Sequence, residues 1–357
     1  MNEEHESLEV RSRVEAALDD WEALESGDAA VCGLPERRGL LATILRMREI
    51  SVLGAAVLLF VVLSLATPNL FPTPENLLLV ARQISILAII AIGMTFLFIA
   101  REIDLSAGST YGFLVVCLAF LISKWSVSPW LAVLITVLVG LIIGFVNGTV
   151  VTRFGIPSFI VTLGMLSILR GFALLLSGAW PVLIRLPQEH SFLNLTAGRA
   201  WGTVPAQVLW MAGLMIIAGF VLSKTRFGAH VYATGGNEEA AILTGIPTKQ
   251  VKVICFMVTS ALCGIAASLL VGQMRSGHPT TGTGFELDII AAVVIGGTPL
   301  FGGAGSVLGT LLGAAILGMI TNGLVLLGAS AHFEPVAKGC IIIGAIMVDT
   351  LIRQRRV

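Results

Sequence analysis

The feature that most restricts this chain is a succession of long apolar stretches, nearly free of charge and joined by short polar links. A helix needs roughly 20 apolar residues to cross the hydrocarbon core of a bilayer. Such stretches fall near 50–67, 77–100, 105–123, 129–152, 157–177, 205–223, 249–273, 287–303, 306–328 and 334–352. A backbone facing lipid has no water to bond, so these stretches must be helical. The expected fold is an all-α polytopic membrane protein with about ten transmembrane helices. The 287–303 stretch is short and glycine-rich, and reads as a broken or re-entrant helix packed inside the protein.

Composition agrees. Of 357 residues, 56% are apolar and 12% are charged, with zero formal net charge. The charged share is about half that of a soluble globular protein. This excludes a soluble enzyme and a disordered chain, and the absence of a basic stripe excludes nucleic acid as a partner. Of 22 acidic residues, 11 lie in the first 36 positions. The chain therefore divides into an acidic tail, 1–38, and a transmembrane domain, 39–357. The start of the chain shows no cleavable-leader pattern, and the tail is expected to stay in the cytoplasm.

Basic residues near span ends set the orientation. Arg37, Arg38, Arg46, Arg48, Arg153, Lys224, Arg226, Lys249, Lys252, Arg353, Arg355 and Arg356 fall on one side of a ten-span chain. That side is expected to be cytoplasmic, with both termini. Lys124, Arg185, Arg199 and Arg275 are exceptions. The longest outer loop is 178–204, with Trp180 and Trp201 as candidate interfacial anchors.

Several local patterns carry structural weight. Gly140-x-x-x-Gly144, Gly144-x-x-x-Gly148 and Gly309-x-x-x-Gly313 put small residues on one helix face, so that helices approach closely. Ala107-Gly108-Ser109-x-x-Gly112-x-Leu114 recurs weakly as Ala304-Gly305-Ser306-x-x-Gly309-x-Leu311, and Asn147-Gly148 as Asn322-Gly323. This is either a duplication of the kind found in transporters or the ordinary recurrence of small residues in packed membrane helices. The five cysteines form no CxxC or Cys/His cluster, so no metal site is expected.

The link at about 224–248 is the longest on the cytoplasmic side. Within Gly235-Gly236-Asn237-Glu238-Glu239-Ala240-Ala241-Ile242-Leu243-Thr244-Gly245-Ile246-Pro247, Asn237 suits an N-cap, and Glu238 and Glu239 suit the positive end of a helix dipole. Gly245 suits the C-terminal stop, with Pro247 beyond it. A helix of about two turns is expected outside the membrane, with a surface to offer a partner.

Glu239-Ala240-Ala241-x-x-x-Gly245 resembles the coupling loop of ABC importer permeases. The wider chain, from about 50 to 352, resembles the ribose/xylose/galactose-type permeases of the branched-chain-amino-acid-like permease superfamily. The agreement runs through Ile103-Asp104-Leu105-Ser106-Ala107-Gly108 and Phe159-Ile160-Val161-Thr162-Leu163-Gly164 leading to Arg170-Gly171. It continues through Gly284-Phe285-Glu286-Leu287-Asp288, the run to Gly296-Gly297-Thr298, and Lys338-Gly339. The resemblance implies an import permease working as a dimer in the inner membrane, with homodimer the simplest form. Residues Gly236, Asn237, Glu238, Glu239, Ala240, Ala241 and Gly245 would dock an ATPase subunit. ATP and Mg would be bound by that subunit, and a periplasmic substrate-binding protein would deliver a monosaccharide or related polyol. The alternative is the same machinery with a branched-chain amino acid or a furanosyl signal molecule as its cargo. The chain departs from the family where Arg101 and Glu102 stand in place of two glycines.

Polar groups inside the spans supply the remaining candidates. Polyol hydroxyls need paired donors and acceptors. Asp104 and Ser106, in a break between spans, with Asn147, Thr162 and Asn322, are candidates to line the path, or else bond helix to helix. Arg170 should be paired or reach for the interface, because a mid-membrane Arg costs roughly 2.5–3.5 kcal/mol. It is expected to pair with Glu286 or Asp288 on the outer side and to shape an outer gate. No phosphate-cradling Gly-x-x-x-x-Gly-Lys-Ser/Thr loop, nucleophile elbow or His-Glu-x-x-His pair occurs, so the chain is not expected to be an enzyme or to bind ATP. A stand-alone ion-coupled carrier is the rival class, but it would want acidic residues at mid-span, and here they sit near span ends.

Overall fold

The computed structural model describes residues 48–330 and nine further residues between 333 and 347. The acidic tail and most of the expected 334–352 span lie outside the described residues. Twelve helices are described: α1 (Arg48–Ala66), α2 (Pro74–Ile99), α3 (Ala107–Ser123), α4 (Pro129–Phe154), α5 (Ser158–Ser177), α6 (Ser191–Ala197), α7 (Ala206–Lys224), α8 (Arg226–Gly236), α9 (Glu238–Leu243), α10 (Thr248–Met274), α11 (Phe285–Ile295) and α12 (Val307–Leu326). Four two-residue strands pair antiparallel: β1 (Val182–Leu183) with β4 (Ser276–Gly277), and β2 (Arg199–Ala200) with β3 (Val204–Pro205).

Seven helices, α1, α2, α4, α5, α7, α10 and α12, are long and apolar enough to cross a membrane. Two expected spans are shorter than the sequence suggests. α3 has 17 residues and α11 has 11. The causes are local. α2 stops in a Schellman arrangement: Arg101 N–H donates to Phe98 O and Glu102 N–H to Leu97 O. Arg101 there has φ 66°, the left-handed region in which glycine is at ease. Residues 100–106 are non-helical, so α3 starts only at Ala107. α11 stops the same way, with Gly297 at φ 87° and Thr298 N–H donating to Val293 O. Elsewhere the ends follow simple rules. Thr73 Oγ1 accepts from Asn76 N–H at the start of α2, where Pro74 has no N–H to satisfy. Gly155 and Gly178, both left-handed, end α4 and α5.

α2 and α10 form the centre: 67% and 61% of their most apolar windows are buried, against 11% for α1 and 17% for α5 and α7. The peripheral helices turn apolar side chains outward, as a lipid-facing helix must. The α4 glycine stripe is what lets α4 lie on α10. A Cβ at Gly140 would stand 2.5 Å from Ser260 O, and one at Gly148 would stand 2.7 Å from Val253 Cα. Gly309 and Gly313 press in the same way on Gly296 and Ala292 of α11.

After β4 the chain does not stay at the end of the bundle. Gly277 packs on Ala119 and Val116 of α3, whereas Gly282 packs on Gly108 and Tyr111 at its first turn. Residues 277–284 thus descend about eleven helical positions along α3, roughly 16 Å. The Phe285 ring lies 5.7 Å from that of Tyr111. α11 therefore begins inside the bundle and returns to the end where the 224–248 loop sits. Trp125, Trp180 and Trp201 are exposed at the opposite end.

Candidate coupling helix and polar path

α8 and α9 share one residue as stop and start. Asn237 N–H donates to Ala233 O at 3.1 Å, closing α8, and its Oδ1 accepts from Ala240 N–H at 3.1 Å, opening α9. Glu238 and Glu239 occupy the first turn of α9. Gly245, at φ 82°, lets Ile246 N–H reach back to Ala241 O at 3.0 Å. Ala241 is buried and anchors the helix, while Gly236, Glu239, Ala240, Ile242 and Gly245 are exposed. Leu243, an apolar side chain, is 88% exposed.

The base beneath α9 is tight. Gly235 lies against the carbonyl of Ile99, where no Cβ fits. Gly303 N–H donates to that same carbonyl at 2.9 Å. Tyr232 Oη donates to Gly305 O at 2.6 Å; burial first, and then the Glu49 carboxylate, raise this phenol above its usual range. Arg101 Nε donates to Phe301 O at 2.6 Å. Lys252 Nζ stands 2.9 Å from Glu102 Oε1 and 2.8 Å from Glu238 Oε2. The α8–α9 corner, the 99–102 segment, the 301–305 turn and the start of α10 are thereby joined.

Four of the five candidate path residues come together where the chain climbs from Glu102 to α3. Asp104, Ser106, Asn147 and Thr162 are fully buried. Asp104 Oδ1 accepts from Ser106 N–H at 2.8 Å and from Ser106 Oγ at 2.5 Å. Asn147 Nδ2 donates to Ser106 Oγ at 3.0 Å. Thr162 Oγ1 accepts from Leu105 N–H at 3.0 Å, and Ser158 Oγ from Ile103 N–H at 3.2 Å. Asp104 Oδ2 and Asn147 Oδ1 are buried with no hydrogen-bond partner among the described residues. Asn322 does not join this group. It forms a reciprocal amide pair with Asn76, at 3.0 and 2.9 Å, between α12 and the start of α2.

The expected Arg170–carboxylate pair does not form among the described residues. Arg170 Nη1 donates to Thr281 O at 2.9 Å, because the descending 277–284 segment passes in front of it. Asp288 pairs with Lys338 at 2.8 Å. Glu286 is carried down to Gly108, and its Oε2 is buried there without a hydrogen-bond partner among the described residues. The outer-end location expected for Glu286 is thus corrected to the interior. The two copies of the weak repeat also differ locally. Ser306 Oγ caps α12 by accepting from Gly309 N–H at 3.0 Å, while Ser109 lies inside α3 and donates to Ser106 O.

Sequence reasoning missed Ser158, Asn76 and Thr281. Their roles come from tertiary proximity, and nothing in their local sequence marks them. Lys252 was legible only as a cytoplasmic-side charge.

Comparison with known proteins matches residues 76–351 to the family described as branched-chain amino acid transport system / permease component. The chain is 38% identical over 305 residues to the ribose import permease protein of Escherichia coli (strain K12), covering 85% of this chain and 94% of that protein. It is 39% identical over 309 residues to a probable ABC transporter permease of the same organism, covering 87% and 91%. It is 34% identical over 333 residues to the L-arabinose ABC transporter permease of Azospirillum brasilense, covering 93% and 95%. No solved structure matches the chain.

Proposed function

Because the chain belongs to the family of branched-chain amino acid transport system permease components, we propose that it is the membrane-spanning subunit of an ATP-driven importer whose cargo is a monosaccharide or related polyol. The observation that carries this is α9: a short helix capped at both ends, with Leu243 and Glu239 turned outward for a partner. The chain is a multi-pass inner-membrane protein and does no covalent chemistry. ATP hydrolysis belongs to a partner ATPase, which would hold ATP and Mg. A periplasmic binding protein would present cargo at the end marked by Trp180 and Trp201. A second copy would complete the path, as in a dimeric import permease. Ten spans with both termini cytoplasmic would place the 224–248 loop and the basic side chains on the ATPase side.

Cargo follows from two supports. The similar proteins include import permeases for ribose and L-arabinose. The buried acceptors left open, Asp104 Oδ2, Asn147 Oδ1 and Glu286 Oε2, suit hydroxyl donors. In this reading Asp104, Ser106, Asn147 and Thr162 line the inner part of the path, and Asn322 holds α12 to α2. Arg170 and Asp288 hold the 277–288 segment that closes the outer part, through Thr281 and Lys338, and Glu286 stands inside beside Gly108. The test is uptake of labelled ribose, arabinose and leucine into proteoliposomes carrying the permease with its ATPase and binding protein. Pentose uptake that requires internal or external ATP, according to orientation, supports the reading. Leucine uptake without pentose uptake would replace the cargo, and uptake without ATP would replace the mechanism.

A further inference from the structure

Among the described residues, Lys252 is the side chain that contacts carboxylates from two separate elements of the coupling end. Its Nζ lies 2.8 Å from Glu238, the first residue of α9, and 2.9 Å from Glu102, two residues before Asp104. Glu102 and Lys252 are largely sequestered, with side chains 9% and 11% exposed, while Glu238 is 37% exposed. From Glu102 the chain continues as Ile103, Asp104 and Leu105, whose backbone is pinned at Ile103 by Ser158 and at Leu105 by Thr162. Among the described residues, the Glu238–Lys252 bond is the side-chain bond that ties α9 to another helix.

We infer that Lys252, with Glu102 and Glu238, is a charge clamp that delivers movement of α9 to the buried Asp104–Ser106 segment. Lys252 is a positioning residue and touches no cargo. The inference rests on the importer reading. Physically, the ammonium lies between two carboxylates; its attraction to the sequestered Glu102 is screened little, and its attraction to the more exposed Glu238 is screened more. A pull on α9 therefore shifts Lys252 and Glu102 together. The 99–102 segment cannot absorb the movement by itself, because Gly235 presses on Ile99 and Arg101 is held at Phe301. The movement passes instead into the Ile103–Leu105 rise that carries Asp104, which is held by two single hydrogen bonds, to Ser158 and Thr162.

The test uses the intact importer, permease with ATPase and binding protein, in proteoliposomes. It measures the labelled substrate that the wild-type complex imports, out of ribose, arabinose and leucine, taken up per ATP hydrolysed for wild type, Glu102→Gln, Glu238→Gln, the double variant, Lys252→Met and Lys252→Arg. Allosteric links of ordinary strength run from about fivefold upward. Each single Gln variant and Lys252→Met should lower the ratio by about that factor or more, and Lys252→Arg, which can keep both bonds, should retain most of it. The double Gln variant should be no worse than the worse single, because a link cut once is already cut. Should Lys252→Met fail to accumulate, with Glu102 left as an unpaired buried acid, the Gln series and Lys252→Arg still decide. Ratios within about twofold of wild type in both single Gln variants, or a double variant showing the product of the single losses, would overturn the clamp while leaving the importer intact. A wild-type complex whose ATP hydrolysis drives no import would overturn the importer reading, and the clamp with it.

Discussion

Replacing Gly144 by Ala tests the α4–α10 contact, on which the bundle depends. A Cβ at Gly144 would lie 2.6 Å from Met257 Cα and 2.7 Å from Phe256 C, and closer still to Phe256 O. These are backbone atoms and cannot swing aside. Restoring ordinary contact, near 3.4 Å, means moving α4 off α10 by roughly 0.8 Å, and even that small a gap forfeits about a quarter to a half of each neighbouring dispersion contact. Overpacking of this kind costs about 1–3 kcal/mol. Alanine also favours a helix over glycine by about 0.8–1 kcal/mol, which offsets part of the loss. A control removes that ambiguity. Gly219, on α7, has open space where a Cβ would go, so Gly219→Ala takes the helix preference without the clash. The two variants should then differ by about 1–3 kcal/mol, or roughly 3–10 °C in melting midpoint by the scaling of large soluble domains. The assay is thermal unfolding of purified protein in mild detergent, followed by loss of the monodisperse chromatographic peak. Equal midpoints, or a higher one for Gly144→Ala, would refute the packing argument.

Asp104→Ala should abolish most labelled pentose uptake while the protein reaches the membrane at normal levels; unchanged uptake would remove Asp104 from the path. Asn322→Ala leaves the half-buried Asn76 Oδ1 without its donor, while Asn76 Nδ2 keeps its bond to Phe71 O, so it should lower stability by about 1–3 kcal/mol, with Asn76→Ala added recovering part of the loss in the same thermal assay. Arg170→Leu removes the bond to Thr281 O, and amides of 280–284 should exchange hydrogen faster than in wild type; unchanged exchange would show that other contacts hold that segment.

Much of the fold is written locally. Charge-free stretches specify helices in lipid, and Thr73-Pro74, Asn237 and Gly245 mark helix ends through their own backbone chemistry. The α4 glycine stripe is legible because close approach leaves a spacing of four. What stays hidden depends on which distant segment arrives. Nothing near Arg170 says that a carbonyl of 277–284 will reach it before a carboxylate does. Glu286 reads as a span-end residue because hydropathy cannot tell a descending segment from an external loop; only the packing of Gly282 on Gly108 shows the descent. Arg101 is a milder case. Its position is one that glycine suits, and the left-handed turn there shows why, while its bond to Phe301 helps hold the strained backbone. Asp104, Ser106, Asn147 and Thr162 were found as polar residues in apolar surroundings, a signal that equally picked out Asn322, which serves elsewhere.

The central claim is that α9 is the handle by which an ATPase subunit works this permease. The most direct measurement is co-purification from native membranes in mild detergent, comparing wild type with Glu239→Arg. Glu239 is exposed in the first turn of α9, where a carboxylate suits the helix dipole and an arginine opposes it. The account predicts an ATPase subunit in the wild-type preparation and its loss from the Glu239→Arg preparation at equal permease yield. A wild-type preparation that brings down no ATPase even after cross-linking, or a variant that retains it in full, would contradict the account.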